Sequence, residues 1–578
     1  MTSLFFEYAL VISIEERIKL KRLSLITKVI YCLLIFFILY FAFLPVISVI
    51  LYGINSGNSI GITYDNLERA LHYLRNSLGV SLSVTLFATI FGLVTSFTLK
   101  RLNFKGRSIL RLLALLPLIN PPFVGSIAFI MLFGRNGLIT HKLLGLNMSP
   151  YGWQGIVFIQ ILGLGSLAYI LISSSIQKLD ISLEEAARNL GASEKRVFAT
   201  VTLPMMIPEI SGTALLVFLA SMADFGTPLI IGGNFQTLAS DIYIQITGLY
   251  DMQTASVSGI FLLIPCILAF IIQRYYVQKG TYFTDNISLD EIEYKEIKPF
   301  AKYTLIFLTV IFVGFVFLKY VFIIIGAFTK QWGYDYTFTL KHFNSIFKRN
   351  LLPFANSVKL AFFVALISSF IGVLIAYLLH SKKLFMATLV DFMAVLPAAV
   401  PGILFGIGYL VTFRYPILGI GRFVFENIKP TILLGTNIII YIICIARYMN
   451  IGLRSGYALL EHLNPDLEKA AYNLGASEIR TFFTVTIPLL RDAFFAAFFK
   501  NFATTMTTLG AIIFLLLPKN KVAVQQIFQI ITSSVMGEAA AMSLLLSFLS
   551  LALLGFFYLL FYGSSVCNKL KEGRFSWK

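Results

Sequence analysis

Cysteine, histidine and tryptophan are scarce, at 4, 5 and 3 residues in a chain of 578. Cys32, Cys266, Cys444 and Cys567 stand singly in apolar runs or just after the last one, without metal-ligand spacing. That pattern excludes a disulfide framework or thiolate metal centre and leaves them as packing residues. Five histidines are too few for a proton relay through a membrane, and no His stands with Asp or Glu at metal spacing, so an ion-coupled carrier and a metal-dependent membrane enzyme both lack their residues. No stretch matches G-x-x-x-x-G-K-[ST], the loop whose backbone amides cradle nucleotide phosphates. A chemical energy source of that type must reside in another polypeptide. No cleavable leader is expected either: the first long apolar run follows a charged stretch, is long enough to span a bilayer and should remain as the first helix.

Charge is low as well, at 13% of residues, whereas 58% are hydrophobic and 55 are Phe. Mean hydropathy is +0.83, too apolar for a water-soluble chain of this length. Apolar runs of about 20 residues, the length that spans hydrocarbon at a helical rise of about 1.5 Å, fall near 26–51, 77–99, 112–133, 156–176, 207–231 and 255–272. Six more fall near 303–328, 357–379, 387–413, 432–448, 493–517 and 539–562. The reading is an all-α polytopic membrane protein of twelve spans.

A net charge of +18 raises the question of nucleic acid. The basic residues, however, sit in short clusters between spans rather than along a soluble face, so no nucleic-acid partner is expected. Arg17, Lys19, Lys21 and Arg22 precede the first span, Lys100, Arg101, Lys105 and Arg107 follow the second, and Lys569, Lys571, Arg574 and Lys578 lie near residue 578. The positive-inside rule makes these ends cytoplasmic. The stretch 232–254, which has no Lys or Arg, is then external.

The strongest pattern is a repeat. Sixteen of 22 residues are identical between 183–204 (LEEAARNLGASEKRVFATVTLP) and 467–488 (LEKAAYNLGASEIRTFFTVTIP), 284 positions apart. Asn76-Ser77, Pro117 and Pro121 recur as Asn356-Ser357, Pro397 and Pro401, 280 positions on. The repeat therefore covers two tandem six-helix halves, 1–278 and 303–578, joined by a mixed-charge cytoplasmic linker, 279–302. Six spans per half makes the copies parallel, with a pathway expected between them. Polar segments between spans ordinarily diverge, so two near-copies imply one surface offered twice to one kind of partner.

Each copy has a local grammar. Ser182 with Glu185 three residues on reads as a capping box, Ala186 and Ala187 permit close approach, Gly191 suits a tight helix end and Ser193-Glu194 starts a second helix. In the second copy Pro465, Asp466, Leu467 and Glu468 begin the helix, with Ala470, Ala471 and Gly475 in the matching places. The expectation is a short helix, a sharp turn and another helix at the membrane surface, over 182–204 and 466–488.

These residues resemble the EAA motif of ABC-transporter permeases. Glu185-Ala186-Ala187, Gly191 and Leu203-Pro204 fit that pattern; the second copy keeps Ala470, Ala471, Gly475 and Ile487-Pro488 but has Lys469 where the pattern has Glu. The resemblance covers both halves and is similar to the fused two-permease arrangement of the ferric-iron and thiamine importer families. It implies a type I importer fold in a bacterial inner membrane, two copies of a cytoplasmic ATPase that bind the ATP, no cofactor in this chain, and an extracytoplasmic solute-binding protein. It also implies that Glu184, Glu185, Ala186, Ala187, Gly191, Ala192, Glu468, Ala470, Ala471, Gly475 and Ala476 contact the ATPases. The phrases ADFGTPLIIGGNF and TTLGAIIFLL look like the ferric-iron branch, with thiamine, phosphonates and polyamines as the alternative cargoes.

Within the spans, Pro117, Pro121, Pro397 and Pro401 break or kink their helices, either as gating bends along the pathway or as packing kinks. Asp224 is the clearest intramembrane acid, costly at about 2.5–3.5 kcal/mol on insertion scales; it either meets cargo or a binding protein, or caps a broken helix beside Gly226. Its counterpart is Thr508. Asp391 is expected to pair with a nearby basic residue. Glu209 sits at the membrane boundary. The acids of the external stretch, Asp241 and Asp251, either face a basic partner or form a solvated loop.

Overall fold

The computed structural model describes residues 24–54, 63–119, 121, 123–145, 150–177, 179, 181–277, 298–349, 351–380, 386–414, 433–464, 466–533 and 535–571. Most of the expected linker 279–302, and Pro465 at the head of the second repeated segment, fall outside them. The described chain is helical apart from one short antiparallel hairpin, Thr329–Gln331 with Asp335–Phe338. Among the described residues nine helices are long and apolar enough to cross a bilayer, and two bent pairs raise the number to eleven. The fold class is thus an all-α polytopic membrane protein.

The third expected span, 112–133, is not one helix. Arg107–Leu115 tightens into the turn Leu116–Ile119, and a separate helix Val124–Phe133 follows. Pro117 lies in that tight turn and Pro121 in the break beyond it, where the missing N–H and the ring leave no continuous ladder. The expected span 387–413 is likewise two helices, Ala387–Ala399 and Gly402–Phe413, meeting at 110°. Pro401 marks that break, whereas Pro397 sits inside the first helix. The spans placed at 207–231 and 493–517 begin earlier than expected, as Glu194–Met222 and as Glu478–Leu489 with Arg491–Met506, the latter pair bent by 63°. Prolines 204 and 488 do not start these helices; a wider turn just before each, in which the N–H of Leu203 reaches Phe198 and that of Ile487 reaches Phe482, accommodates the ring.

Two compact units emerge, and they do not follow the sequential halves 1–278 and 303–578. One comprises Met1–Leu51, Leu352–Val522 and Leu549–Lys578; the other comprises Tyr52–Leu351 and Ala523–Phe548. In the first, the initial span Leu25–Ile54 packs with second-half helices: the fully buried Tyr409 donates to Phe41 O at 2.6 Å, and Phe41 stacks on Phe413. In the second, Pro299–Ala327 packs with first-half helices, Phe312 stacking on Phe91 at 5.4 Å in a core with Leu99, Tyr169, Val313 and Val316.

Water supplies no driving force inside a bilayer, so helices approach where side chains are small. In one unit Gly92 faces Ala168, and a Cβ on the glycine would meet the Ala168 methyl at 2.5 Å. The corresponding crossing in the other unit is Gly372 on Gly452, where a Cβ on Gly372 would lie 2.2 Å from Met449 O. Gly372→Ala is therefore expected to destabilise the protein by about 1–3 kcal/mol. Gly79→Ala, in a helix with nothing within 4 Å of the added methyl, is expected to gain up to about 1 kcal/mol. Thermal unfolding of the two variants in detergent checks this; equal midpoints would refute the close crossing.

Candidate functional site

The two repeated segments fold alike. Helices Ile181–Asn189 and Asp466–Asn473 each end at a glycine with φ of +82°. Gly191 N–H donates to Arg188 O and Ala192 N–H to Ala187 O; Gly475 repeats this to Tyr472 O and Ala476 to Ala471 O. This is a Schellman end, and its left-handed residue favours glycine because it lacks a Cβ. Ser193 and Ser477 then start the next helices at Glu194 and Glu478, and Ser477 Oγ accepts from Arg480 N–H. The start of the first segment differs from expectation. Its helix begins at Ile181, so Ser182 lies within the first turn instead of capping it.

One bond ties each short helix to the base of the following span. Thr202 Oγ1 donates to Glu184 Oε1 at 2.6 Å, and Thr486 Oγ1 donates to Glu468 Oε1 at 3.1 Å. The two glutamates, expected as partner contacts, therefore also brace the segment internally, Glu184 being only 1% exposed. Around this shared bond the copies differ. Glu184 lies 3.7 Å from both Arg101 and Arg188, and Arg188 also donates to Glu194 at 2.7 Å. In the second copy Tyr472 stands where Arg188 does. Lys469, at the place of Glu185, instead pairs with Asp466 at 2.8 Å, with both side chains 70% exposed. Such an exposed pair contributes about 0–1 kcal/mol.

The outward face is apolar. Leu190 is 89% exposed and Leu474 88%, with Leu183 and Leu467 close to half exposed. Ala186, Glu185, Gly191, Ala470 and Gly475 are exposed beside them, and Ala187, Ala192, Ala471 and Ala476 are half-buried. The leucines were not singled out from the sequence; their identity in both copies was the available signal, but exposure became visible only with the Schellman turn.

The pathway residues separate. Asp224 Oδ1 accepts from the N–H groups of Gly226 and Thr227 at 3.0 and 3.1 Å, capping helix Gly226–Ile231, while Gln160 Nε2 donates to Oδ2 at 2.9 Å. Gln160 Oε1 accepts from Ser221 at 2.6 Å. The capping alternative for Asp224 thus matches its contacts. Thr508 accepts from Tyr448 OH at 2.8 Å instead. Arg447, which the sequence reading passed over, donates to Val400 O at 2.9 Å and Pro397 O at 3.3 Å, across the 110° break. Lys319, only 5% exposed within the span Pro299–Ala327, was passed over too. Asp391 lies 3.7 Å from Arg454, the basic neighbour expected of it. Asp241 is fully buried, held by Arg69 at 2.7 Å and Ser258 at 2.7 Å, and Asp251 caps helix Met252–Ile272, so these two acids are occupied internally. No group of three or more His, Cys, Asp or Glu with metal-holding geometry occurs among the described residues.

Residues 85–281 match the family described as "Binding-protein-dependent transport system inner membrane component". The chain is 30% identical over 495 residues to the ferric transport system permease protein FbpB of Actinobacillus pleuropneumoniae, a match covering 84% of this chain and 70% of that protein. It is 24% identical over 478 residues to the Fe(3+)-transport system permease protein FbpB 2 of Haemophilus influenzae, covering 82% and 86%. The molybdenum transport system permease protein ModB of Escherichia coli matches 177 residues at 33% identity, 29% of this chain and 77% of that protein.

Removing Glu184 strands the buried Arg101, so Glu184→Ala is expected to cost about 3–5 kcal/mol. Glu468→Ala, at a half-exposed position, is expected to cost about 1–2 kcal/mol. Hydrogen exchange across the two segments reads the difference: faster exchange in 181–204 than in 466–488 is the expected order, and the reverse would discard the Arg101 contribution.

Proposed function

The chain belongs to the binding-protein-dependent transport inner membrane components, and from that premise we propose that it is the membrane-spanning translocation subunit of an ATP-driven ferric-iron importer. The observation that carries the reading is the pair of matching helix-turn-helix segments, each presenting one nearly bare leucine and small neighbours on an internally braced frame. Two such segments in one chain supply two docking points, one for each of two cytoplasmic ATPase subunits. The iron assignment rests on relatives that span most of the chain and are named for ferric transport.

In this reading the segments and both ends of the chain face the cytoplasm of a bacterial cell, and an extracytoplasmic binding protein delivers iron to the opposite side. ATP is bound by the partners, and this chain performs no chemistry of its own. ATPase closure displaces each short helix; the Glu184–Thr202 and Glu468–Thr486 bonds pass the displacement to spans Glu194–Met222 and Glu478–Leu489. The bends at Pro121 and Pro401, the latter sealed by Arg447, and the break after Met222 sealed by Asp224, are the places where span geometry changes. The halves 1–278 and 303–578 act as two permeases in tandem.

The test is ATP-dependent uptake of radiolabelled ferric iron into proteoliposomes holding this chain, its ATPase and its binding protein. The Gly191→Leu, Gly475→Leu double variant forces a β-branch-free but Cβ-bearing residue into the left-handed position. Uptake is expected to fall at least tenfold while the protein still inserts and the ATPase still hydrolyses ATP. Unchanged uptake would sink the coupling assignment, and ATPase coupling without iron uptake would reassign the cargo.

A further inference from the structure

Helix Trp153–Ile176 leads from the first repeated segment at one end to Tyr151 at the other. At the Tyr151 end lies a cavity of about 600 Å³ whose lining includes Arg135, Lys330, Lys341 and His342, with Glu538 as its one carboxylate. Resting on the importer reading above, we propose that this cavity is where acidic side chains of the extracytoplasmic binding protein dock.

Its walls are fixed by bonds that leave the charges outside. Trp332 Nε1 donates to Met131 O at 3.0 Å, Asn136 donates to Tyr334 OH at 3.2 Å, and His342 Nε2 lies 3.0 Å from Thr329 O. Ser345 donates to Glu538 at 3.2 Å. Lys330 is engaged by Asp335 at 2.8 Å, a hydrogen bond that holds the Asp335 carboxyl well below the ordinary carboxylate range. Arg135 and Lys341 remain exposed, with no carboxylate partner among the described residues.

Two comparisons make this charge informative. Loops on the outer side are ordinarily poor in Lys and Arg, yet this end keeps Arg135, Lys142, Lys330 and Lys341, with Lys142 lying over the Tyr336 ring at 4.3 Å. The acids of the other outer stretch, Asp241 and Asp251, are spent on Arg69 and on a helix cap. Asp65 and Glu68 are exposed elsewhere on this side, but at the cavity rim the charges with no opposite partner among the described residues, Arg135 and Lys341, are positive. An open rim of Arg with Tyr151, Trp332 and Tyr334 has the composition of a protein contact surface. A site for a small anion would instead enclose its cations. Exposed charges of this kind steer association and lose strength with salt.

The experiment uses the whole transporter in lipid nanodiscs with the binding protein that stimulates its ATPase. Affinity for that protein is measured by biolayer interferometry across ionic strength, for wild type, for Arg135→Gln with Lys341→Gln, and for Arg135→Glu with Lys341→Glu. The expected result is a graded loss reaching tenfold or more in the Glu pair, a flatter salt dependence, and basal ATPase activity unchanged in both variants. Affinity and salt dependence equal to wild type would overturn this inference alone. Failure of any binding protein to stimulate the wild type would overturn the importer reading and this inference with it.

Discussion

A hydrocarbon layer offers no hydrogen bonds, so every interruption of a spanning helix must be repaired by the protein itself. Most of the distinctive chemistry inside this chain answers that constraint. After Met222 the carboxylate of Asp224 takes two freed N–H groups, and Gln160, itself held by Ser221, donates to its other oxygen. At the 110° break the guanidinium of Arg447 takes two freed carbonyls. One half seals exposed donors with an acid and the other seals exposed acceptors with a base. Asp224, the charged residue that looks like a cargo ligand in the linear sequence, is thus engaged with backbone.

The two helix-turn-helix segments follow a different economy. A helix of eight or nine residues is marginal alone, and each is fixed by three devices: a Schellman end, a serine-led second helix, and a carboxylate, buried in the first copy and half-exposed in the second, bonded to a threonine 18 positions on. Because bracing is internal, the outward face is free to carry leucine and alanine. The differences between copies, Arg188 against Tyr472 and Glu185 against Lys469, fall around the shared bond and not on it. Selection for a common frame with unequal flanks fits two docking points of one kind.

The compact units also show what a fused chain permits. The initial span packs with second-half helices through Tyr409 and Phe41, and Pro299–Ala327 packs with first-half helices through Phe312 and Phe91. Each unit then contains covalent neighbours of the other, so neither half completes its own core from its own residues. A sequence repeat and a packing unit are different objects here.

The sequence by itself determined the class, the repeat, the near-complete set of spans and both helix-turn-helix segments. All of these rest on local signals: apolar runs of spanning length, a 284-residue offset, and glycines at 191 and 475 where a left-handed turn was needed. Tertiary structure alone decided which helices share a core, which prolines mark a break and which carboxylates are free. Pro397 and Pro401 are four residues apart with the same covalent limits, yet Pro397 lies inside helix Ala387–Ala399 and Pro401 at the 110° break, where Arg447 takes the carbonyls of Pro397 and Val400. Asp241 looked available until Arg69, 172 positions away, was found against it. Spacing along a chain fixes backbone habit, whereas the worth of a charge depends on partners that distant segments bring within about 3 Å.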